Sequence, residues 1–218
     1  MTEHITARQF HADPSLAEWR VIGDGACTLF RTRSFAESAR LIQAISELPD
    51  LENHTPDVDL RQDGVTVRLI TITGNYYGIS QRDVELARQI SAAARDLDAP
   101  ADPSAVQEVQ LTIDALVSAD VMPFWRAVLD YEPWGDEDVV DRLRIGPPIW
   151  FQPMDAPRPQ RNRIHVDIFV PQDQAEARVA AAVAAGGRIL FDKHAPQGWT
   201  LADPEGNEVD IATMFGRD

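Results

Sequence analysis

The chain has 218 residues, 44% hydrophobic and 25% charged, which suits one large soluble core or two of about 100 residues each. Its formal charge of −15 would repel a phosphate backbone and sets nucleic acid aside as a partner. No run approaches the roughly 18 apolar residues of a membrane span, and residues 1–14 are polar where a signal peptide would be apolar, so a cytoplasmic protein with no membrane partner is expected.

In chain order, residues 27–33 read as a strand. Cys27, the one cysteine, lies in it; it can form no internal disulfide and reads as a small buried hydrophobe. Ser34 and Glu37 have the S-x-x-E spacing of a capping box and open a helix whose apolar face carries Leu41, Ile45 and Leu48. Residues 64–73 switch to period two, with Val65, Val67 and Leu69 on one side. Ser80 and Asp83 open a second helix, in which Val84, Ala87, Ala94 and Leu97 share a side. These elements predict helices packed on a small antiparallel sheet over residues 1–98. Residues 98–105 (D-A-P-A-D-P-S-A) carry two prolines among small and acidic residues, so a linker is expected at 99–104 and a second domain at 105–218.

The second half repeats itself. Residues 106–113 form a strand pattern, 119–129 a helix carrying Phe124 and Trp125, and 139–145 and 148–152 two more strands. The pattern then restarts with a strand at 164–170 and an alanine-rich helix at 173–185, closed by Gly186 and Gly187. Strands follow at 188–191, 199–202 and 208–211. Two βαβββ modules account for this order, and the fold class of the whole chain is α+β.

Residues 52–61 (E-N-H-T-P-D-V-D-L-R), 65–69 (V-T-V-R-L) and 78–83 (G-I-S-Q-R-D) carry a family pattern, and with it the first domain resembles pterin-4a-carbinolamine dehydratases. Those enzymes have a loop close to N-H-H-P-D before a strand, then a third histidine, then G-L-[ST]-E-x-D opening a helix. The similarity extends to Trp19, to the strand at Leu29 and Phe30, and to the helix start at Ser34 and Phe35. It implies a hydro-lyase that expels a 4a-hydroxyl as water from a pterin or related bicyclic heterocycle. Such a step needs an acid near the oxygen and a base near the ring nitrogen proton, and an imidazole serves either purpose near neutral pH.

The histidine set is depleted here. His54 matches the first of the pair, but Thr55 stands at the second position, and the third falls at Ile72 or Gly74 depending on which end is counted from. Tyr76 and Tyr77 fill that loop. The resemblance therefore implies His54 as the main acid/base group, with Asp83 and Asp57 as carboxylates beside it. Glu52, Thr55 and Pro56 would line the substrate, and turnover would be weak or altered. Plainer readings stand alongside: Asp83 as a helix cap, Glu52 and Asp57 as solvated loop acids, and His54 as a loop hydrogen-bonding group.

Residues 162–170 (N-R-I-H-V-D-I-F-V) and 201–210 (L-A-D-P-E-G-N-E-V-D) resemble glyoxalase-like members of the vicinal-oxygen-chelate superfamily, in which D-P-x-G-N before a final strand is the specific element. Metal-dependent relatives place ligands on equivalent strands of the two modules. His165 and Asp210 occupy such places in module two. Their counterparts by sequence offset are Glu108 (57 residues before His165) and Gln152 (58 before Asp210). The four are expected to converge on one small-molecule pocket. A metal-free pocket is favoured because glutamine is a weak ligand and Pro153 follows it directly; a divalent metal is the alternative, and no other cofactor is implied. His4 and His11 near the N-terminus and His194 in a loop read as exposed, and Trp125, Trp134, Trp150 and Trp199 as core or rim packing. A small-molecule ligand and a homo-oligomer are the partners expected. Two other readings stay open: a lyase, isomerase or dioxygenase centred on the second domain, or two non-catalytic binding domains.

Overall fold

A computed structural model describes residues 4–23, 25–74, 76–157 and 166–213. The chain divides into two compact units, Met1–Glu108 and Val109–Asp218. Among the described residues no helix is long and apolar enough to cross a membrane.

The first unit contains strands β1 (His4–Ile5), β2 (Arg20–Ile22), β3 (Gly25–Arg31), β4 (Asp57–Arg61), β5 (Gly64–Leu69), β6 (Thr71–Thr73) and β7 (Tyr76–Ser80), with helices α1 (Ala7–His11), α2 (Phe35–Ser46) and α3 (Gln81–Asp96). They form an antiparallel sheet of order β2-β3-β5-β4 and a smaller one of order β1-β7-β6. Phe30 pairs with Val65 and Ala26 with Leu69, so the expected period-two face of β5 lies beside the small and aromatic residues of β3. That face packs with Trp19, with Leu41 and Ile45 of α2, and with Val84, Ala87, Ile90 and Ala94 of α3. Trp19 is fully buried, and its indole Nε1 donates to Ser91 Oγ at 3.0 Å, which satisfies that buried donor. At the start of α2 half of the expected capping box forms. Ser34 Oγ accepts from Glu37 N at 3.3 Å, but the Glu37 carboxylate turns to Arg33 N at 2.8 Å instead of Ser34 N.

The linker expected at 99–104 is corrected. Strand β2 pairs with β3 only as far as Cys27, which leaves the main chain of Leu29 and Arg31 open on that edge. The extended proline-containing segment fills it: Arg31 N donates to Pro100 O at 2.9 Å, Asp102 N donates to Leu29 O at 2.7 Å, and Ala101 bridges Phe30. Ala99 is buried, and the Asp102 carboxylate pairs with Arg31 at 2.9 Å. The first unit therefore continues to Glu108. A chain cut after residue 98 is expected to be less stable in urea than one cut after residue 108 by roughly 2–3 kcal/mol, from two lost backbone bonds and a charge-assisted pair. Equal midpoints would show that the added strand contributes nothing.

The second unit realises the two modules. Module one is β8 (Leu111–Ala115), α4 (Ser118–Leu129), β9 (Glu132–Trp134), β10 (Asp138–Val140) and β11 (Ile149–Pro153); module two is β12 (Val166–Phe169), α5 (Ala175–Ala184), β13 (Arg188–Phe191), β14 (Gly198–Ala202) and β15 (Glu208–Ala212). Their sheets have matching orders, β8-β11-β10-β9 and β12-β15-β14-β13, and in each the first strand runs parallel to the last. Phe124, Trp125 and Val128 of α4, Phe151 of β11, Ala182 of α5 and Val209 and Ile211 of β15 share one buried cluster, so the modules make a single core. The strand expected at 139–145 ends at Val140. Beyond it the Asp141 carboxylate accepts from the N–H groups of Leu143, Ile145 and Gly146 and folds the chain into a turn. A Cβ at Gly146 would meet the Tyr131 hydroxyl, so a larger residue there would have to displace that ring. Burial pushes that phenol up to about 12, with the Asp141 charge adding to the effect.

The D-P-x-G-N segment has a structural explanation of its own. Asp203 is fully buried; its Oδ1 accepts from the N–H groups of Glu205, Gly206 and Asn207, while Oδ2 accepts from Asn207 Nδ2 at 2.7 Å and Trp125 Nε1 at 3.0 Å. The Glu205 carboxylate accepts from Leu116 N and Val117 N, just ahead of α4. This turn of module two thereby grips the helix of module one.

Candidate active site

The segment leading to His54 is shaped by Asp50, whose φ of 60° starts a short 3₁₀ turn (Leu51–Asn53), and by Pro56, which is buried at the entry to β4. His54 is left in an extended conformation, its Nε2 2.7 Å from Asp83 Oδ1. Its side chain is 16% exposed and that of Asp83 is fully buried. Asp83 sits in the first turn of α3, where its Oδ2 accepts from Ser80 N at 2.7 Å, Thr71 Oγ1 at 2.7 Å and Ser80 Oγ at 2.9 Å. Burial alone would raise this carboxyl; the hydrogen bonds from His54, Thr71 and Ser80 outweigh it and hold it below the usual carboxylate range. Asp83 is thus a buried anion that both caps α3 and orients an imidazole. With Nε2 committed to Asp83, the Nδ1 side of His54 is left to exchange a proton, a tautomer assigned from the hydrogen bond.

The other expected site residues differ in their surroundings. Asp57 lies 3.4 Å from Arg68 Nε. Glu52 is exposed, and exposed Thr55 donates to Leu51 O at 3.3 Å. Ile72 is 43% exposed, and a Cβ at Gly74 would meet nothing within 4 Å. The hydroxyls of Thr71 and Ser80 were not among the expected site residues. A surface hollow of about 420 Å³ lined by Pro14, Glu18, Arg88 and Arg95 is separate: its arginines are paired with Asp13 and Glu18.

Of the foursome expected in the second unit, Gln152 and Asp210 are the members described there. Glu108 belongs to the first unit, where its carboxylate lies 3.5 Å from Arg68 Nη1. His165 lies outside the described residues. Gln152 is paired with Asp114 on β8, and Asp210 with Asp167 on β12 and Thr200 on β14, both on the side of their sheets opposite the core residues. Among the described residues no group of three or more histidine, cysteine or acidic side chains is placed to hold a metal ion.

The family model for pterin 4 alpha carbinolamine dehydratase matches residues 2–93. A protein of Nocardia farcinica with a provisional pterin-4-alpha-carbinolamine dehydratase name is 34% identical over 80 residues, 37% of this chain and 82% of that one. The chain belongs to the pterin-4a-carbinolamine dehydratase family. A similarly named protein of Mycobacterium avium is 30% identical over 78 residues, 36% of this chain and 81% of its own. Residues 110–212 match the model of a glyoxalase-like domain, so the dehydratase-like unit is joined to a glyoxalase-like one. Solved structures similar to half of the chain include a glyoxalase-related enzyme of Fulvimarina pelagi (19% identity, 86% of that chain, TM-score 0.36) and a fosfomycin resistance protein of Listeria monocytogenes (10% identity, 93% of that chain, TM-score 0.40).

Proposed function

We propose that the first unit is a hydro-lyase acting on a pterin 4a-carbinolamine, with His54 as its proton-transfer group and Asp83 as the anion that orients and polarises it. The 2.7 Å contact between the half-buried imidazole and a fully buried, hydrogen-bonded carboxylate carries this reading. In the reaction the C4a–O bond breaks as a ring-nitrogen proton is removed, and the oxygen leaves as water after taking up a proton. His54 Nδ1 takes the ring proton, and Asp83 stabilises the imidazolium that results. The glyoxalase-like unit is proposed as a small-molecule-binding partner, with Gln152 and Asp210 on the non-core sides of its sheets.

With Thr55 in place of a second loop histidine, the rate should fall short of a full histidine set by about 10²-fold, the share of one positioned acid/base group. A coupled assay on 4a-hydroxytetrahydropterin measures it. Thr55→His should recover part of the deficit, since Thr55 is exposed and makes only a 3.3 Å contact to Leu51 O. A wild-type rate no greater than the uncatalysed one, unchanged by Thr55→His, would remove the dehydratase reading.

A further inference from the structure

Along β7, Tyr76, Gly78 and Ser80 project to one face, while Ile79 between them joins the core on the other. The register carries neighbours onto the same face. His4 of β1 pairs with Ser80, Thr71 of β6 with Gly78, and Thr73 with Tyr76. Ser80 and Thr71 on this face bind the Asp83 carboxylate that holds His54. His4, far from His54 in sequence, therefore stands on the face whose Thr71 and Ser80 hydroxyls bind Asp83.

Its ring is also fixed in place. The His4 imidazole stacks on Tyr76 with centroids 3.5 Å apart and planes 5° from parallel. The Tyr76 ring runs back along the strand over Gly78, where a Cβ would stand 2.8 Å from its hydroxyl, and that hydroxyl donates to Ile79 O at 2.5 Å. Burial, followed by the nearby Asp83 charge, raises the Tyr76 phenol above its ordinary range, which keeps it protonated as a neutral stacking surface. His4 itself is exposed.

We propose that His4, held on Tyr76, is the second imidazole of the His54 site and delivers the proton to the departing hydroxyl. The role rests on the dehydratase reading and completes its balance. His54 Nδ1 takes the ring-nitrogen proton as the nitrogen–C4a double bond forms and C4a–O breaks; the oxygen takes a proton from the His4 imidazolium and leaves as water. His54 then returns its proton to solvent and His4 regains one from it. Tyr76 is a positioning residue.

Two measurements on the full chain separate the role from the reading on which it rests. Turnover of 4a-hydroxytetrahydropterin tests the reading: an inactive wild type removes it. Imidazole NMR during addition of biopterin, an oxidised pterin that has no 4a-hydroxyl to lose, tests His4. Shifts at both His4 and His54 place His4 in the pocket whether or not turnover occurs; a shift at His54 alone, or at neither, overturns the proposal. In an active wild type, His4→Phe, which keeps a stacking ring, should lower kcat about 10²-fold with KM changed less than about twofold. His4→Ala should regain activity when imidazole is added. Wild-type kcat in His4→Phe, or no rescue of His4→Ala, would likewise overturn it.

Discussion

Replacing Asp203 by alanine is expected to lower the stability of the second unit by roughly 3–5 kcal/mol, the range for removing one partner from a buried charged network. The carboxylate accepts five hydrogen bonds: three from the turn backbone, one from Asn207 Nδ2 and one from the buried indole of Trp125. Alanine returns none of them. The Trp125 donor would be stranded inside the core, and the turn that places Glu205 against Leu116 N and Val117 N would lose its centre. Hydrogen exchange resolved by segment gives the readout. Protection should fall in α4 and β15 while α2 and α3 of the first unit keep theirs, because the two units have separate cores. Unchanged protection in α4 would mean that the Asp203 network does not hold the modules together.

Much of this framework was legible in the sequence, because helix caps and period-two faces are local. Ser80 and Asp83 announced α3, and the D-P-x-G-N run announced the last hairpin. The linker was misread for a physical reason: prolines favour extended backbone, which suits a tether and an added strand equally, and the open main chain of Leu29 and Arg31 is visible only once β2 is seen to stop short. Glu108 was placed by counting between modules, which ignores its attraction to Arg68 across the first unit. At the site, His54 and Asp83 followed from the family motif. Thr71 and Ser80 did not, because their convergence on one carboxylate depends on the β6–β7 register. His4 was read as exposed, and it is; the missing information was that β1 pairs with β7 and brings its ring onto Tyr76.

The second large effect concerns the dyad. His54→Ala should lower kcat for dehydration by about 10²–10⁴-fold, the contribution of one positioned acid/base group, without unfolding the chain, since His54 lies on a partly exposed segment. Asp83→Asn should lower it comparably and also destabilise the first unit, because the amide brings N–H groups to a place already occupied by donors from Ser80, Thr71 and His54. Asp83 gives the pH dependence a definite sign. Its folded pKa lies below its unfolded value near 3.8, so its stabilisation is present above that pH and is lost as pH falls through the lower, folded pKa. Asp83→Asn should flatten that acid limb of the stability curve.

The most direct test of the account is a double-mutant cycle on turnover of 4a-hydroxytetrahydropterin, comparing the wild type, His54→Ala, Asp83→Asn and the double variant. If the carboxylate acts through the imidazole, the double variant should be no slower than His54→Ala alone, with both at least about 10²-fold below the wild type. A His54→Ala protein that turns over at the wild-type rate, or a double variant whose losses multiply as those of independent residues do, would contradict the assignment of His54 and Asp83 as one acid/base unit.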